Sequence, residues 1–279
     1  MNFIDKLKNR IKQIDSLLVV GLDTAVDKVP SHFKKDKTNG EAILGYNKEI
    51  IDATCQYAVA YKSNYVFYSS EGSDGLEALR ETNRYLHQHY PGVVQIVDCK
   101  KDENIPAGIK KAKQELFDWL EADAITVTPW MGSDTILGFA QDQERGVLVL
   151  CKDSNQSSVE IQDLEIKGKP MYQLVAEYVA GKWNRNSNVF IEAPLNFPEA
   201  LKRIRSVVGD DMLILTLGFG SQGGKLEDLV LGLNSQKTNL LVAAAKKIIF
   251  ASEGKDFAQA ASEKARYYRD EINRIRLAA

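Results

Sequence analysis

Eight short apolar runs recur along the chain, at residues 17–22, 57–61, 93–97, 124–127, 147–150, 189–191, 213–217 and 240–243. They are near-continuous in Val, Ile and Leu and show little alternation of polar and apolar side chains, as expected for parallel strands buried on both faces. Segments of helical period fill the intervals, at residues 42–55, 75–89, 107–120, 172–183, 198–208, 226–233 and 255–277. Strands that alternate with helices imply a parallel sheet. Eight such units in 279 residues, close to the ~250 typical of the closed form, predict an α/β fold of the (β/α)8 (TIM) barrel type. A doubly wound open sheet is the competing architecture. No Pro/Gly/Ser-rich linker divides the chain, so one domain is expected over residues 1–279, with a helix over residues 1–15 before the first strand.

The charge balance excludes some functions. Thirty-six Lys and Arg against 38 Asp and Glu give a net charge of −2, which offers no basis for binding nucleic acid or an anionic membrane. No run of about 18 apolar residues suggests a membrane span, and the charged N-terminus does not resemble a signal peptide. Cys55, Cys99 and Cys151 lie far apart in apolar segments and form no metal-binding spacing. They are expected to be buried, reduced thiols in a cytoplasmic protein. The polar segment 153–169 is the longest between elements and is expected to form a loop or lid over the barrel mouth.

In a barrel of this kind the chemistry gathers where strands end. The third run ends in Asp98-Cys99-Lys100, which on an extended backbone puts the carboxylate and the ammonium on one face. The second run leads into Lys62-Ser63-Asn64, and the first into Gly21-Leu22-Asp23. Lys62, Asp98 and Lys100 therefore form the expected charged centre, in which adjacent ammonium groups shift one another's pKa and one can act as a proton donor. Asp23 is placed to accept a hydrogen bond from a ribose hydroxyl. After the seventh run comes Gly218-Phe219-Gly220-Ser221-Gln222-Gly223-Gly224, and after the eighth comes Lys246. Glycines let backbone N–H groups approach an anion, and these two loops are the usual phosphate site of such barrels.

Together these segments resemble the orotidine 5′-phosphate decarboxylases in their longer bacterial form. The resemblance runs through Val20-Gly21-Leu22-Asp23, Tyr61-Lys62-Ser63-Asn64, Val97-Asp98-Cys99-Lys100, Leu150-Cys151-Lys152-Asp153-Ser154-Asn155 and the glycine loop, and it covers nearly the whole chain. It implies a homodimeric barrel that decarboxylates orotidine monophosphate to UMP with neither metal nor cofactor, the one small-molecule partner being a nucleotide monophosphate. By that resemblance Asp23 would hold the ribose, Asn64 would be a further substrate-binding residue, and Lys62 would bind the ribose and the charged network. Asp98 would face the substrate carboxylate, and Lys100 would protonate the carbanion. Ser154, Gln222, Gly218 and Gly220 would hold the base and the phosphate, with Lys246 beside the phosphate.

The chain also departs from the family pattern. The motif Asp-x-Lys-x-x-Asp-Ile here reads Asp98-Cys99-Lys100-Lys101-Asp102-Glu103-Asn104-Ile105. Glu103 without a gap, or Asn104 with a one-residue insertion, takes the place of the second aspartate, which in the family reaches into the partner's site. Lys246 replaces an arginine and loses its bidentate geometry. Ala243-Ala244-Ala245 replaces a polar stretch, Asp153 replaces a threonine, and Glu192-Ala193-Pro194 stands where the family has Gly-Ala-Thr. The residues leave two principal readings open: a decarboxylase with a divergent charge network, or a relative that has lost the reaction and either binds a nucleotide or phosphate, serves as an interaction protein, or acts on another phosphorylated substrate. A Schiff-base aldolase using Lys62 or Lys100 is a third, more distant reading.

Overall fold

A computed structural model of the chain describes residues 1–219 and 223–279. Eight strands close into a parallel barrel. They are β1 (Leu18–Gly21), β2 (Ala60–Asn64), β3 (Val94–Lys101), β4 (Ala124–Val127), β5 (Gly146–Leu150), β6 (Val189–Pro194), β7 (Ile214–Leu217) and β8 (Leu240–Ala244). Each strand pairs with its neighbours in sequence, and β8 returns to β1 through Leu18 opposite Val242. The expected closed barrel is therefore observed and the open sheet is not. All residues of β4, β5 and β6 are buried, because the outer faces are covered by helices and the inner faces fill the barrel.

The second strand begins later than its apolar run suggests. Ala58 and Val59 are buried lead-in residues, and the hydrogen-bonded strand carries Lys62 and Asn64 within it. Local apolarity marks burial rather than pairing, which explains the shift in register.

The principal helices are α1 (Phe3–Ile14), α2 (Asn39–Thr54), α3 (Gly72–His89), α4 (Pro106–Lys113), α5 (Ser133–Phe139), α6 (Met171–Tyr178), α7 (Pro198–Val208) and α8 (Phe257–Ala278). Their ends carry recognisable signals. Thr38 and Glu41 form a capping box that starts α2, and Pro106 and Pro198 open α4 and α7, where the missing N–H is harmless. Both α4 and α6 run on into a wider, π-type turn, at Gln114–Trp119 and Val179–Trp183. The segment expected as a helix at 226–233 is a 3₁₀ turn, Leu226–Gly232. Only Leu229 and Gly232 of it are buried, too small an apolar stripe to hold a full α-helix against the sheet. Helix α5 was not expected, because its seven residues are too short to show a period.

Helix α1 closes the bottom of the barrel. Phe3, Leu7 and Ile11 are buried, and the Phe3 ring lies 5.5 Å from that of Phe190. A side chain at Gly146 would collide with Phe3, so this glycine lets the helix approach β5. Lys6 pairs with Asp123 at 2.9 Å, fixing the helix beside the start of β4. The functional end of the barrel is therefore the opposite one. Phe3→Ala is expected to lower stability by about 3–5 kcal/mol, as for other large-to-small core changes. Urea unfolding measures this, and a change below about 1 kcal/mol would show that α1 is not part of the core.

Candidate active site

The C-terminal ends of the strands open onto a cavity of about 450 Å³. At its floor is Asp98, 6% exposed, with both carboxylate oxygens occupied. Lys62 Nζ donates to Oδ2, and Lys100 Nζ donates to Oδ1 at 2.8 Å. The Thr126 hydroxyl also donates to Oδ1 at 2.8 Å, while its oxygen accepts the Lys100 backbone N–H at 2.8 Å. Thr126 thus joins the carboxylate to the backbone of the residue two places on.

Asp98 and Lys100 do meet, but not through an unbroken pleat. Lys100 has φ +46°, in the left-handed region that a side-chain-bearing residue seldom adopts. The pairing of β3 with β4 slips at the same place: Val97 faces Ile125, whereas Lys101 faces Val127. Four residues of β3 thus span two of β4, an irregularity of the kind that re-aims side chains at functional sites.

The charges act strongly on one another. Burial pushes the Asp98 carboxyl up, but Lys62 and Lys100 outweigh it and hold the group well below the usual carboxylate range. Burial pulls both lysines down, and the facing carboxylates more than reverse this: Glu192 and Asp98 for Lys62, Asp98 and Glu192 for Lys100. Both ammonium groups are therefore held charged.

Around this centre the cavity is lined by Asp23, Asn64, Ser154, Gly218 and Lys246, together with Lys62, Asp98 and Lys100. Asp23 Oδ1 accepts the Asn64 N–H at 3.2 Å, and burial raises the Asp23 carboxyl despite nearby Lys62. Beneath it, Thr24, Asn47, Tyr68 and Thr82 form a buried hydrogen-bonded set that also grips the Leu22 carbonyl. This fixes the turn that presents Asp23. Gly218 has φ +90°, a conformation natural to glycine, and its carbonyl accepts the Gly224 N–H at 3.1 Å. Gly220 and Gln222 lie outside the described residues.

Glu103 and Asn104 do not line this cavity in the chain that carries them. The Glu103 carboxylate folds back over the first turn of α4, so close to Gly108 that a side chain there would collide with it. Asn104 borders a separate groove of about 830 Å³ between α4 and α5. That groove is larger, but it holds none of the converging strand-end residues and lies on the outer wall, away from the barrel mouth. Asp102 is held by the Thr128 hydroxyl.

The segment after β5 is folded rather than open. It contains a short helix, Val159–Gln162, and a small hairpin of Glu165–Ile166 with Lys169–Pro170. Buried Lys152 ties it down, bonding Ser158 Oγ at 2.9 Å and Asp163 Oδ1 at 2.7 Å over the Phe197 ring. Only its base, Asp153 and Ser154, borders the cavity.

Sequence reasoning gave no role to two mouth residues. Thr126 looks like an ordinary strand threonine. Glu192, 3% exposed, stood out only as a departure, although a lone acid ending a wholly apolar run was a usable signal. Its Oε2 lies 3.8 Å from Lys62 Nζ.

A parallel barrel thus gathers a Lys–Asp–Lys set, a glycine turn and a further lysine around one cavity at the C-terminal ends of its strands. The chain matches the Orotidine 5′-phosphate decarboxylase / HUMPS family over residues 16–261, and it belongs to that family. It is 37% identical over 274 residues to the orotidine 5′-phosphate decarboxylase of Cellvibrio japonicus, covering 98% of each chain. Its fold is similar to that of Leishmania donovani OMP decarboxylase, with a TM-score of 0.83, 32% identity and full coverage of both chains. It is also similar to Leishmania donovani UMP synthase, with a TM-score of 0.85 and 34% identity, where it spans 57% of the longer chain.

Thr126→Val keeps the side-chain shape but removes both hydrogen bonds. It is expected to lower stability by about 2 kcal/mol at pH 7, since one of the two lost bonds goes to a charged group, and to raise the Asp98 titration midpoint. Urea unfolding and carboxyl carbon-13 NMR measure these effects. An unmoved Asp98 titration would show that Thr126 does not support the carboxylate.

Proposed function

We propose that this chain decarboxylates orotidine 5′-phosphate to UMP as one domain of a cytoplasmic homodimer. The observation that carries this reading is Asp98 held ionised between two charged lysines at the cavity floor. The reaction breaks the bond between the pyrimidine's sixth carbon and the carboxylate. Carbon dioxide leaves, and the electron pair stays on the ring carbon. A fixed ammonium beside that carbon stabilises the developing charge without reorganisation and then delivers a proton to it, with solvent restoring the proton to the lysine.

Lys100 takes this role, because its side chain is the more exposed of the two, at 40% against 13% for Lys62, and so is the freer to meet a ligand and to recover a proton from solvent. Lys62 supports it by neutralising Asp98 from the other side. Asp23 and Asn64 fit the ribose hydroxyls, and Ser154 fits the base. The turn at Gly218 with Lys246 fits the phosphate, whose remote binding serves to orient the ring. The reading assigns no step to a metal or an organic cofactor. Glu103 and Asn104, outside the cavity of the chain that carries them, are the groups a homodimer would bring to the partner's site.

A Schiff-base role for either lysine is disfavoured, because that chemistry needs a neutral amine and the facing carboxylates keep both charged. Purified protein is expected to convert orotidine monophosphate, followed by its ultraviolet absorbance, and Lys100→Ala is expected to reduce kcat by more than about 10³-fold. An unchanged rate in that variant would refute the role of Lys100. No turnover by the unaltered protein at high concentration would refute the function.

A further inference from the structure

Glu192 belongs to no part of the scheme above, yet it lines the same cavity. Residues on both neighbouring strands fix its position: it pairs with Leu150 of β5 and Leu215 of β7. Its side chain is buried, and Oε2 accepts no hydrogen bond from any described residue. The nearest cation, Lys62 Nζ, stands off at 3.8 Å because it is drawn to Asp98 instead. A buried carboxyl oxygen without a donor, on a side chain that lines a cavity, is either an expensive defect or one half of an interaction completed by a ligand.

We propose, building on the function argued above, that Glu192 is a further substrate-contacting acid. Its Oε2 carries a proton when the site is filled and donates it to a carboxylate or carbonyl oxygen of the bound pyrimidine nucleotide.

The charge around the site favours the protonated form. The groups facing Glu192 are Lys62 from β2, Asp98 and Lys100 from β3, and Asp153 from the segment after β5; Asp23 and Lys246 lie further round the rim. Asp98 already takes up much of the charge of both lysines. A ligand carboxylate and phosphate add negative charge, so an ionised Glu192 would face anions without a free cation of its own. Protonated, Oε2 becomes a donor, and a carboxylate or carbonyl oxygen of the ligand supplies the acceptor that it then needs. Burial, reinforced by Asp98 and only partly offset by Lys62, already raises the Glu192 carboxyl to about 7 in the empty site. A ligand anion pushes it further in the same direction.

The sign follows from which form works. If the acid must be protonated, kcat/KM of the unaltered protein falls as pH rises through about 7. Glu192→Gln, a neutral donor of the same shape, is expected to keep activity within about threefold at pH 6 and to lack that fall. Glu192→Ala, with no donor, is expected to lose about tenfold or more throughout, as for an unpaired buried ligand oxygen. A fall that persists in Glu192→Gln, or a Gln variant as poor as Ala, would overturn the proposal.

If the unaltered protein shows no turnover, the proposed function fails and this inference is judged separately, with UMP as the probe. Calorimetry at pH 7.5 in buffers of different ionisation enthalpy is expected to show proton uptake on UMP binding. Uptake should be absent in Glu192→Gln, and equal uptake by the two, or none by either, would overturn the proposal. The comparison with Gln stands even if the alanine variant does not fold.

Discussion

Asp98 is a buried carboxylate that stays ionised only because two ammonium groups and a hydroxyl converge on it. The mouth depends on this arrangement. Remove the lysines, and burial would protonate the acid; remove the acid, and two like charges would face each other in a poorly solvated site. Because each group stabilises the charged form of the others, the set is preorganised before any ligand arrives. That is the condition under which electrostatic catalysis is effective. The set also explains the irregular end of β3. The left-handed backbone at Lys100 and the slipped pairing with β4 are unfavourable locally, and the bonds through Thr126 and Asp98 hold them in place.

The barrel itself was largely legible. Each apolar run contains or overlaps a strand, because a strand buried on both faces must be apolar throughout, and this leaves a plain mark in sequence. Features that depend on small margins were less visible. Helix α5 is too short to show a period, and residues 226–233 form a 3₁₀ turn because only Leu229 and Gly232 are anchored. The start of β2 shifted because Ala58 and Val59 are buried without being paired in the strand.

At the site, charged residues at strand ends could be read directly, and Lys62, Asp98 and Lys100 do converge. The rule that brought Asp98 and Lys100 together assumed a regular pleat, whereas the chain achieves the contact through a bulge. Thr126 could not have been singled out, since its role depends on the pairing of β4 with that bulge. The departures from the family pattern also take on a clearer shape. Within one chain, Glu103 folds back over α4 and Asn104 faces the outer groove, while Glu192 adds its carboxyl to those of Asp23, Asp98 and Asp153 around the cavity. The mouth therefore has a titratable acid at the end of β6.

The most direct test of the account is to run the reaction in heavy water and examine the product by proton NMR. A proton delivered from Lys100, whose ammonium exchanges with solvent, predicts UMP carrying deuterium at the sixth ring carbon. Orotidine monophosphate left unconverted, or UMP formed without deuterium at that carbon, would contradict it.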